Sequence, residues 1–419
     1  MTSLPARLAG RLGLAGLPRE VAVIALVAFL VAIGFGIVGP AIPVFAETFG
    51  VSTFAASAVI SVFALMRFIG SPLAGWLVDR IGERVILSSG LTIVAVSSGL
   101  AGLAQSYSQL LLLRGVGGIG SAMFTVSAFS ALLRIVSPEQ RGRAASVFSG
   151  GFLLGGLSGP AVGGLVLSLS YRLPFFLYAA SLLAAAVVSG LLLSRARLDA
   201  LEQADREASG APPAAATGPG LGAVLRALAD PAYRAAVAAN FSSGFSAFGL
   251  RASLMPLFVI LALAASPVII GLGFLVASIT QAAALLPAGR LTDLRGRRPA
   301  MLIGSVLMVV ALVLLAVWET IPGFLVAMAA LGIGVAYLAA APAAVVGDVL
   351  GGRKGGPLVA GYQMASDLGA IVGPLLAGAL ADAFGFPLAF ASGAVVAALV
   401  VVLAARMPET LGRRLTPLG

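Results

Sequence analysis

The chain has 419 residues, of which 60% are hydrophobic and only 10% are charged, and its mean hydropathy is +1.08. A typical soluble domain carries about 25% charged residues, so this composition excludes an ordinary water-soluble globule. The sequence contains no cysteine and no histidine. It therefore excludes disulfides, Cys/His zinc sites and catalytic pairs built on Ser-His or Cys-His.

Apolar segments long enough to cross a membrane recur along the whole chain. A helix needs about 20 apolar residues to cross a hydrocarbon layer of about 30 Å, whereas a barrel strand needs about half as many. The sequence therefore predicts an all-α membrane protein with twelve transmembrane helices. The predicted spans are 21–45, 53–78, 85–104, 109–133, 144–168, 174–194, 235–260, 267–288, 299–318, 323–346, 357–380 and 387–405.

The positive charge follows the membrane topology. The formal net charge is +10, with 26 Lys and Arg residues. If both termini are cytoplasmic, all of these residues except Arg67, Arg114, Arg172 and Arg251 fall in cytoplasmic segments. The positive-inside rule thus predicts that both termini are cytoplasmic, and the basic balance does not indicate a nucleic-acid partner.

A polar stretch separates the first six predicted helices from the last six. It is charged at first and then rich in Ala, Gly and Pro, as is typical of a flexible linker. The predicted organisation is an N-terminal tail at 1–20, a six-helix bundle at 21–194, a cytoplasmic linker at 195–234, a second bundle at 235–405 and a C-terminal tail at 406–419.

The two bundles repeat each other at a constant offset of 214 residues, as between Gly75 and Gly289 or Pro160 and Pro374. The register holds at glycines, prolines and charges and not at interchangeable Leu or Val. Two parallel six-helix repeats, pseudo-symmetric about the membrane normal, form a transporter architecture.

The loop after the second helix reads GWLVDRIGER, and its repeat after the eighth reads GRLTDLRGRR. A glycine at the start allows a neighbouring helix to approach closely, and the later glycine permits a tight turn. The residues that carry this pattern are Gly75, Asp79, Arg80, Gly82 and Arg84, with Gly289, Asp293, Gly296 and Arg298 in the repeat.

This loop resembles the best-known motif of the major facilitator superfamily. The resemblance implies a latch between the two halves, in which Asp79 faces a helix N-terminus of the other half. Glu83 departs from the basic residue usual at its position. The alternative is a loop that serves only as a positive-inside anchor.

The fourth helix contains LLLRGVGGIG, with Arg114 inside the membrane and Gly117 where the family usually has Gln. An arginine at this depth must find an acid, a carbonyl or water, so it should face the interior. The resemblance implies a role for Arg114 in proton coupling. The alternative is a structural hydrogen-bond anchor.

The fifth helix contains GGLSGPAVGG. Small residues spaced by four allow helices to pack closely, and a proline removes one backbone hydrogen bond. The residues are Gly155, Gly159, Pro160, Gly163 and Gly164, with Gly373 and Pro374 in the repeat. The resemblance implies an exporter, especially a twelve-helix drug:proton antiporter, and the alternative is generic helix packing.

Arg67 and Asp367 are predicted to lie at similar depths, about 18 Å and about 15 Å from the cytoplasmic ends of their helices. In the family these helices face each other, so the resemblance implies an Arg67–Asp367 pair that could couple proton binding to conformational change. The alternative is that each residue has a partner in its own half.

Several polar and aromatic residues are candidates for a substrate cavity. Arg251 could attract an anionic or zwitterionic substrate or could serve as an outer-face anchor, and the aromatic series at 241 and 245 is more typical of packing. The candidates are Asn240, Phe241, Phe245, Arg251, Gln281 and Tyr337.

The resemblance implies a monomeric, proton-coupled secondary transporter that exports small amphipathic molecules by alternating access in a bacterial inner membrane. Its expected partners are the small-molecule substrate, protons and the lipid bilayer, without nucleic acid, metal, cofactor or catalytic residue. The sequence shows no HExxH, GxSxG or phosphate-loop motif. The alternatives are an exporter or importer of a sugar, an organic acid or an amino-acid-like metabolite and, less favoured, a membrane sensor.

Overall fold

The computed structural model describes residues 17–136, 140–193, 221–350 and 356–412. Within these ranges, twelve helical segments are long and apolar enough to cross a membrane, which confirms the all-α prediction. They are α1 (Arg19–Val38, continued by Ala41–Glu47), α2 (Thr53–Ile81), α3 (Glu83–Gly102), α4 (Tyr107–Ile135), α5 (Arg141–Leu169), α6 (Leu173–Leu192), α7 (Pro231–Gly244, continued to Ala262), α8 (Pro267–Leu294), α9 (Arg297–Val317), α10 (Ile321–Leu350), α11 (Gly356–Phe384) and α12 (Phe386–Arg406).

The seventh helix begins before the predicted residue 235. The Asp230 carboxylate accepts hydrogen bonds from the backbone N–H groups of Ala232 (2.7 Å) and Tyr233 (3.1 Å), and Pro231 occupies the first turn. This combination of cap and proline starts a helix ahead of its apolar run. A short helix, Leu221–Ala227, lies within the predicted linker, whose residues 195–220 are outside the described part of the chain.

The middle of α7 is π-helical, over Phe245–Leu254 and again over Phe258–Ala262. Pro256 lies between the two segments and lacks the N–H that a regular helix needs. π-Helical turns widen a helix and are frequent at functional sites. Arg251 is in the first of these segments.

The chain divides into two compact units. The first comprises residues 1–41 and 62–214, and the second comprises residues 42–61 and 215–419. The division thus differs from the two predicted halves at one place, because the first turns of α2 belong to the second unit.

In the first unit, the glycines of α5 lie directly on the backbone of α1. A Cβ atom built on Gly155 would meet the Phe29 carbonyl oxygen at 2.6 Å, and one on Gly159 would meet Gly36 Cα at 2.8 Å. Such distances leave no room for a side chain, so the two backbones are in contact.

In the second unit, the repeat preserves this packing between α7 and α11. A Cβ atom on Gly369 would meet the Phe245 backbone nitrogen at 2.7 Å, and one on Gly373 would meet Gly249 Cα at 3.0 Å. The internal repeat therefore extends from the sequence to the packing of equivalent helices.

We expect Gly159→Leu to lose most of its folded yield, because overpacking costs about 1–3 kcal/mol or more where the backbone cannot move. Gly156→Leu is the matched control, since a Cβ atom at Gly156 meets nothing within 4 Å. Gel filtration and thermal unfolding in detergent compare the two variants. Equal stability of both would show that the α1–α5 contact tolerates a side chain.

Candidate functional site

Both repeats of the loop motif turn at a glycine with positive φ. Gly82 has φ +93° and joins α2 directly to α3, and Gly296 has φ +125° between α8 and α9. Side chains of L residues rarely adopt this conformation, which accounts for both glycines. Among the described residues, a Cβ atom on Gly75 or Gly289 would meet nothing within 4 Å, and the close helix approach at Gly75 stays a prediction.

An ion pair next to the first turn joins α3 to α4. Glu83 is only 2% exposed, and its Oε1 atom lies 2.9 Å from Arg134 Nη1. Ser130 Oγ lies 3.4 Å from the same oxygen. Arg84 donates to the carbonyl oxygen of Gly190 at the end of α6. The start of α3 is thereby attached to two other helices of its own unit, α4 and α6.

The second turn carries a corresponding ion pair between α9 and α10. Arg297 Nε lies 3.1 Å from Asp348 Oδ2, and Arg297 Nη1 lies 3.0 Å from Asp293 Oδ1. Thr410 Oγ1 donates to Asp348 Oδ2 at 2.7 Å. Arg298 donates to the carbonyl oxygen of Ala405 at 2.6 Å, much as Arg84 does in the first unit.

The two ion pairs occupy equivalent positions with opposite polarity. The 214-residue offset relates Glu83 to Arg297 and Arg134 to Asp348. The acid at position 83 is thus paired with a base at position 134. This pairing explains why Glu83 departs from the basic residue that the family usually has at this position. This exchange could have been found in the sequence by comparing residues 134 and 348.

The reversed polarity changes the surroundings of the motif aspartate. In the second unit, Arg297 also binds Asp293. In the first unit, Glu83 has the same charge as Asp79 and cannot bind it. Asp79 is exposed, and within the described ranges its carboxylate has no hydrogen-bond or ion-pair partner.

A glutamate beyond α12 caps α9, and it was not among the predicted site residues. The Glu409 carboxylate accepts hydrogen bonds from the N–H groups of Arg297 (2.8 Å) and Arg298 (3.1 Å) and from those of Thr410 and Leu411. Burial raises the pKa of Glu409, but these four backbone hydrogen bonds outweigh it and hold the pKa below its usual value. The ionised Glu409 carboxylate therefore stabilises the folded protein at any pH above the usual pKa of a glutamate. This stabilisation is lost as the pH falls through the lower pKa that Glu409 has in the folded protein.

Arg114 is buried in the first unit. It is 1% exposed, its guanidinium lies 4.3 Å from the centre of the Phe63 ring, and its Nε and Nη1 atoms have no hydrogen-bond partner in the described structure. A Cβ atom on Gly117 would meet Ser97 Oγ at 2.8 Å, so a larger residue there requires the Ser97 side chain to move. Tyr178, which sequence reasoning missed, interacts electrostatically with both Arg114 and Arg67.

Arg251, on α7 of the second unit, is a partly buried cation that is not the repeat equivalent of Arg114. Its guanidinium lies 5.2 Å from the centre of the Phe274 ring on α8, and its Nε and Nη2 atoms are buried without a partner in the described residues. The buried hydroxyls of Ser246 and Ser278 also have no partner there. Ser278 is one turn beyond Phe274 on α8, and the buried Gln281 follows it. Arg251, Ser246 and Ser278 therefore each carry a buried polar atom that has no partner in the described residues.

The other cavity candidates have structural contacts. Asn240 Nδ2 donates to the Tyr362 carbonyl oxygen at 2.6 Å and joins α7 to α11. Phe241 and Phe245 stack with ring centres 6.3 Å apart, and the Phe245 side chain is fully buried. Tyr337 packs against an alanine cluster between α8 and α10.

Arg67 and Asp367 belong to different units, and their pairing stays a prediction. Asp367 lies in the middle of α11 and is partly buried. Among the described acids, it alone is more than about two turns from a helix end.

We expect Glu83→Arg and Arg134→Glu each to lower the melting temperature, because each leaves two like charges at a partly buried site. The double reversal should recover stability, with a coupling energy of about 0.5–3 kcal/mol, as for residues in direct contact. Arg406→Glu, at an exposed arginine of α12, controls for the change in net charge. Thermal unfolding in detergent tests the cycle, and strictly additive effects would mean that no bridge forms.

The sequence is similar to transporters involved in drug resistance. It is 30% identical over 170 residues to quinolone resistance protein NorA of Staphylococcus aureus (strain MRSA252), which covers 39% of this chain and 42% of that protein. It is 32% identical over 165 residues to multidrug resistance protein 1 of Bacillus subtilis (strain 168), with the same coverage. The alignments thus span less than half of each relative.

The fold is similar to that of a bacterial homologue of the human lysosomal transporter Spinster. Its inward-facing, occupied structure superposes with a TM-score of 0.72 at 16% identity, covering 97% of this chain and 98% of that one. The inward-facing, unoccupied structure of the same protein superposes with a TM-score of 0.68 at 19% identity, covering 92% of this chain and 95% of that one. The sequence also matches the Major Facilitator Superfamily over residues 24–259 and 236–417. The chain therefore belongs to this family and is a multi-pass membrane protein.

Proposed function

We propose that this transporter exports small amphipathic molecules and couples their export to proton entry by alternating access. The observation that carries the proposal is the 30–32% identity to proteins named for quinolone and multidrug resistance. The glycine-proline motif of α5 supports the same group, because it resembles the exporter motif. The protein acts as a monomer in a bacterial inner membrane.

Asp367 is the proton-binding residue of this proposal. A carboxylate in the middle of a membrane helix is costly while charged, so its protonation state responds strongly to nearby charges and to access of water. The partly buried position of Asp367 in α11 supports this role. Arg114 and Arg67 supply positive charge near Tyr178 in the first unit.

Arg251 recognises an acidic group on the substrate. Its buried Nε and Nη2 atoms have no partner in the described chain, and unsatisfied charged donors are costly inside a membrane. A carboxylate would accept from both nitrogens, and an aromatic substrate would pack beside Phe274. The same observation favours a second candidate function, the transport of a specific organic acid.

We expect Asp367→Asn to keep substrate binding but to lose proton-driven accumulation almost completely, because Asn does not titrate. The assay is uptake of norfloxacin, a fluorescent quinolone, into inside-out vesicles with and without an imposed pH gradient. Asp230→Asn is the matched control, since Asn caps a helix as well as Asp does. A full response to the gradient in Asp367→Asn would rule out this residue as the coupling site, and absence of transport by the wild type would refute the proposed function.

We expect Arg251→Gln to weaken binding of norfloxacin about 10- to 100-fold, the equivalent of one or two charge-assisted hydrogen bonds. Binding of its methyl ester should change little, because the ester lacks the carboxylate. Arg226→Gln, an exposed change near the start of α7, is the control. Fluorescence titration of the purified protein measures both ligands, and equal losses for acid and ester would contradict acid recognition.

A further inference from the structure

The guanidinium of Arg114 lies inside the first unit among aromatic side chains of three other helices. The Phe63 ring of α2 lies over it at 4.3 Å. Phe35 of α1 is 6.3 Å from Phe63 and 6.3 Å from Tyr178 of α6, measured between ring centres. Tyr178 also interacts electrostatically with Arg114. The arginine is thus enclosed by rings that stabilise its charge only weakly, by cation–π attraction.

Two N–H donors of this guanidinium are left without an acceptor. Within the described residues, the buried Nε and Nη1 atoms of Arg114 have no hydrogen-bond partner. An arginine does not lose its proton in a protein, so its charge remains when it is buried. A buried charged donor without an acceptor costs several kcal/mol inside a membrane. The surroundings of Arg114 therefore call for a ligand that accepts hydrogen bonds and carries negative charge.

Ser98 of α3 contributes a second buried polar atom at this depth. It is 1% exposed, and its Oγ atom has no hydrogen-bond partner in the described part of the chain. It lies in the middle of the buried face of α3, because residues 96, 100 and 103, on the opposite side of the helix, are exposed. The preceding residue meets α4 one turn after Arg114, since a Cβ atom on Gly117 would lie 2.8 Å from Ser97 Oγ.

The next residue of α3 meets α6 at the same level. A Cβ atom on Gly99 would lie 3.6 Å from the Cβ atom of Ala179, which follows Tyr178. Because Ser98 is between the residue that meets α4 and the residue that meets α6, it lies at the level of both Arg114 and Tyr178. The hydroxyl of Ser98 is therefore placed to donate to a ligand of the arginine.

The acids of the first unit are too far away to balance the charge of Arg114. Among the described residues of this unit, the acids are Glu20, Asp79 and Glu83, and all three lie at helix ends. Each is about 22–24 Å along its helix from the residue that the same helix contributes to the group around Arg114. The counter-charge must therefore come from outside this set of side chains.

We propose that Arg114 and Ser98 bind a small monovalent inorganic anion, of the size of chloride, between α3 and α4. Water would accept the hydrogen bonds but would bring no charge. Arg114 is only 1% exposed and is covered by Phe63, so a drug-sized molecule has no access to it. The anion is a structural ligand that stabilises the first unit, and its binding does not depend on the proposed export.

Thermal unfolding of protein purified without chloride tests the site, with sodium gluconate replaced by sodium chloride at constant ionic strength. Gluconate is too large to enter a buried site. Chloride should raise the wild-type melting temperature by about 2–4 °C, because a ligand that binds only the folded state stabilises it. Arg114→Gln should lose this rise, and Arg406→Gln, at an exposed arginine, should keep it. No rise in the wild type, or an equal rise in Arg114→Gln, would overturn the proposal.

Two adjacent serines give a matched pair for the hydroxyl ligand. Ser98→Ala should increase the chloride concentration needed for half of the rise about fivefold, the loss of one hydrogen bond. Ser97→Ala should leave this concentration unchanged, because Ser97 Oγ already donates to the Val94 carbonyl oxygen at 3.1 Å. A wild-type midpoint in Ser98→Ala would overturn the site as proposed.

Bromide locates the anion without any substitution, so this test does not require a variant to fold. Wild-type crystals grown in sodium bromide should give an anomalous difference peak in contact with Arg114 and Ser98. Absence of a peak there, at a bromide concentration that gives the full rise in melting temperature, would overturn the proposal. None of these measurements uses transport, so a failure of the proposed export would leave their outcomes unchanged.

Discussion

The hydrocarbon layer offers no hydrogen-bond partner, and the rest of the structure depends on this constraint. It forces the backbone into helices and leaves most charges at helix ends, where water is available. It also makes close backbone packing valuable, because side chains gain little by leaving lipid for protein. The glycines of α5 and α11 meet this demand, because the neighbouring backbone lies where a Cβ atom would be. Within the described residues, buried polar groups that stay unsatisfied, such as those of Arg114 and Arg251, are the natural places to look for function.

The repeat shows which features of the loop motif are structural. In both units, an ion pair joins the start of the helix after the loop to the end of the next helix, but the signs of its two charges are exchanged. The position therefore requires complementary charge, and it tolerates either polarity as long as both members change together. The exchange has a consequence for the motif aspartate, because within the described ranges a cation binds it in the second unit and not in the first. Asp79 is consequently available for a contact that Asp293 has already made within its own unit.

Hydropathy and glycine spacing predicted the twelve helices and the repeat, because both follow from solvent exclusion and close packing along one helix. The sequence did not predict contacts between residues far apart in the chain, such as those of Glu409 with the start of α9 or of Asp382 with the start of α2. A carboxylate near a helix end looks the same in sequence whether it faces water or another helix. The π-helical course of α7 was missed for a related reason, since Pro256 indicates only that the regular hydrogen-bond pattern fails and not how the helix responds.

The location of a polar contact determines how much it costs to break. Interactions deep in the membrane are expensive to break, because no water replaces them, whereas a carboxylate at the surface exchanges its partners for water at little net cost. Asp382 makes the cheaper kind of contact, because its exposed carboxylate accepts two backbone N–H groups at the start of α2. The hydrogen bond between Ser57 of α2 and Ser253 of α7 is the costlier kind, because it is buried.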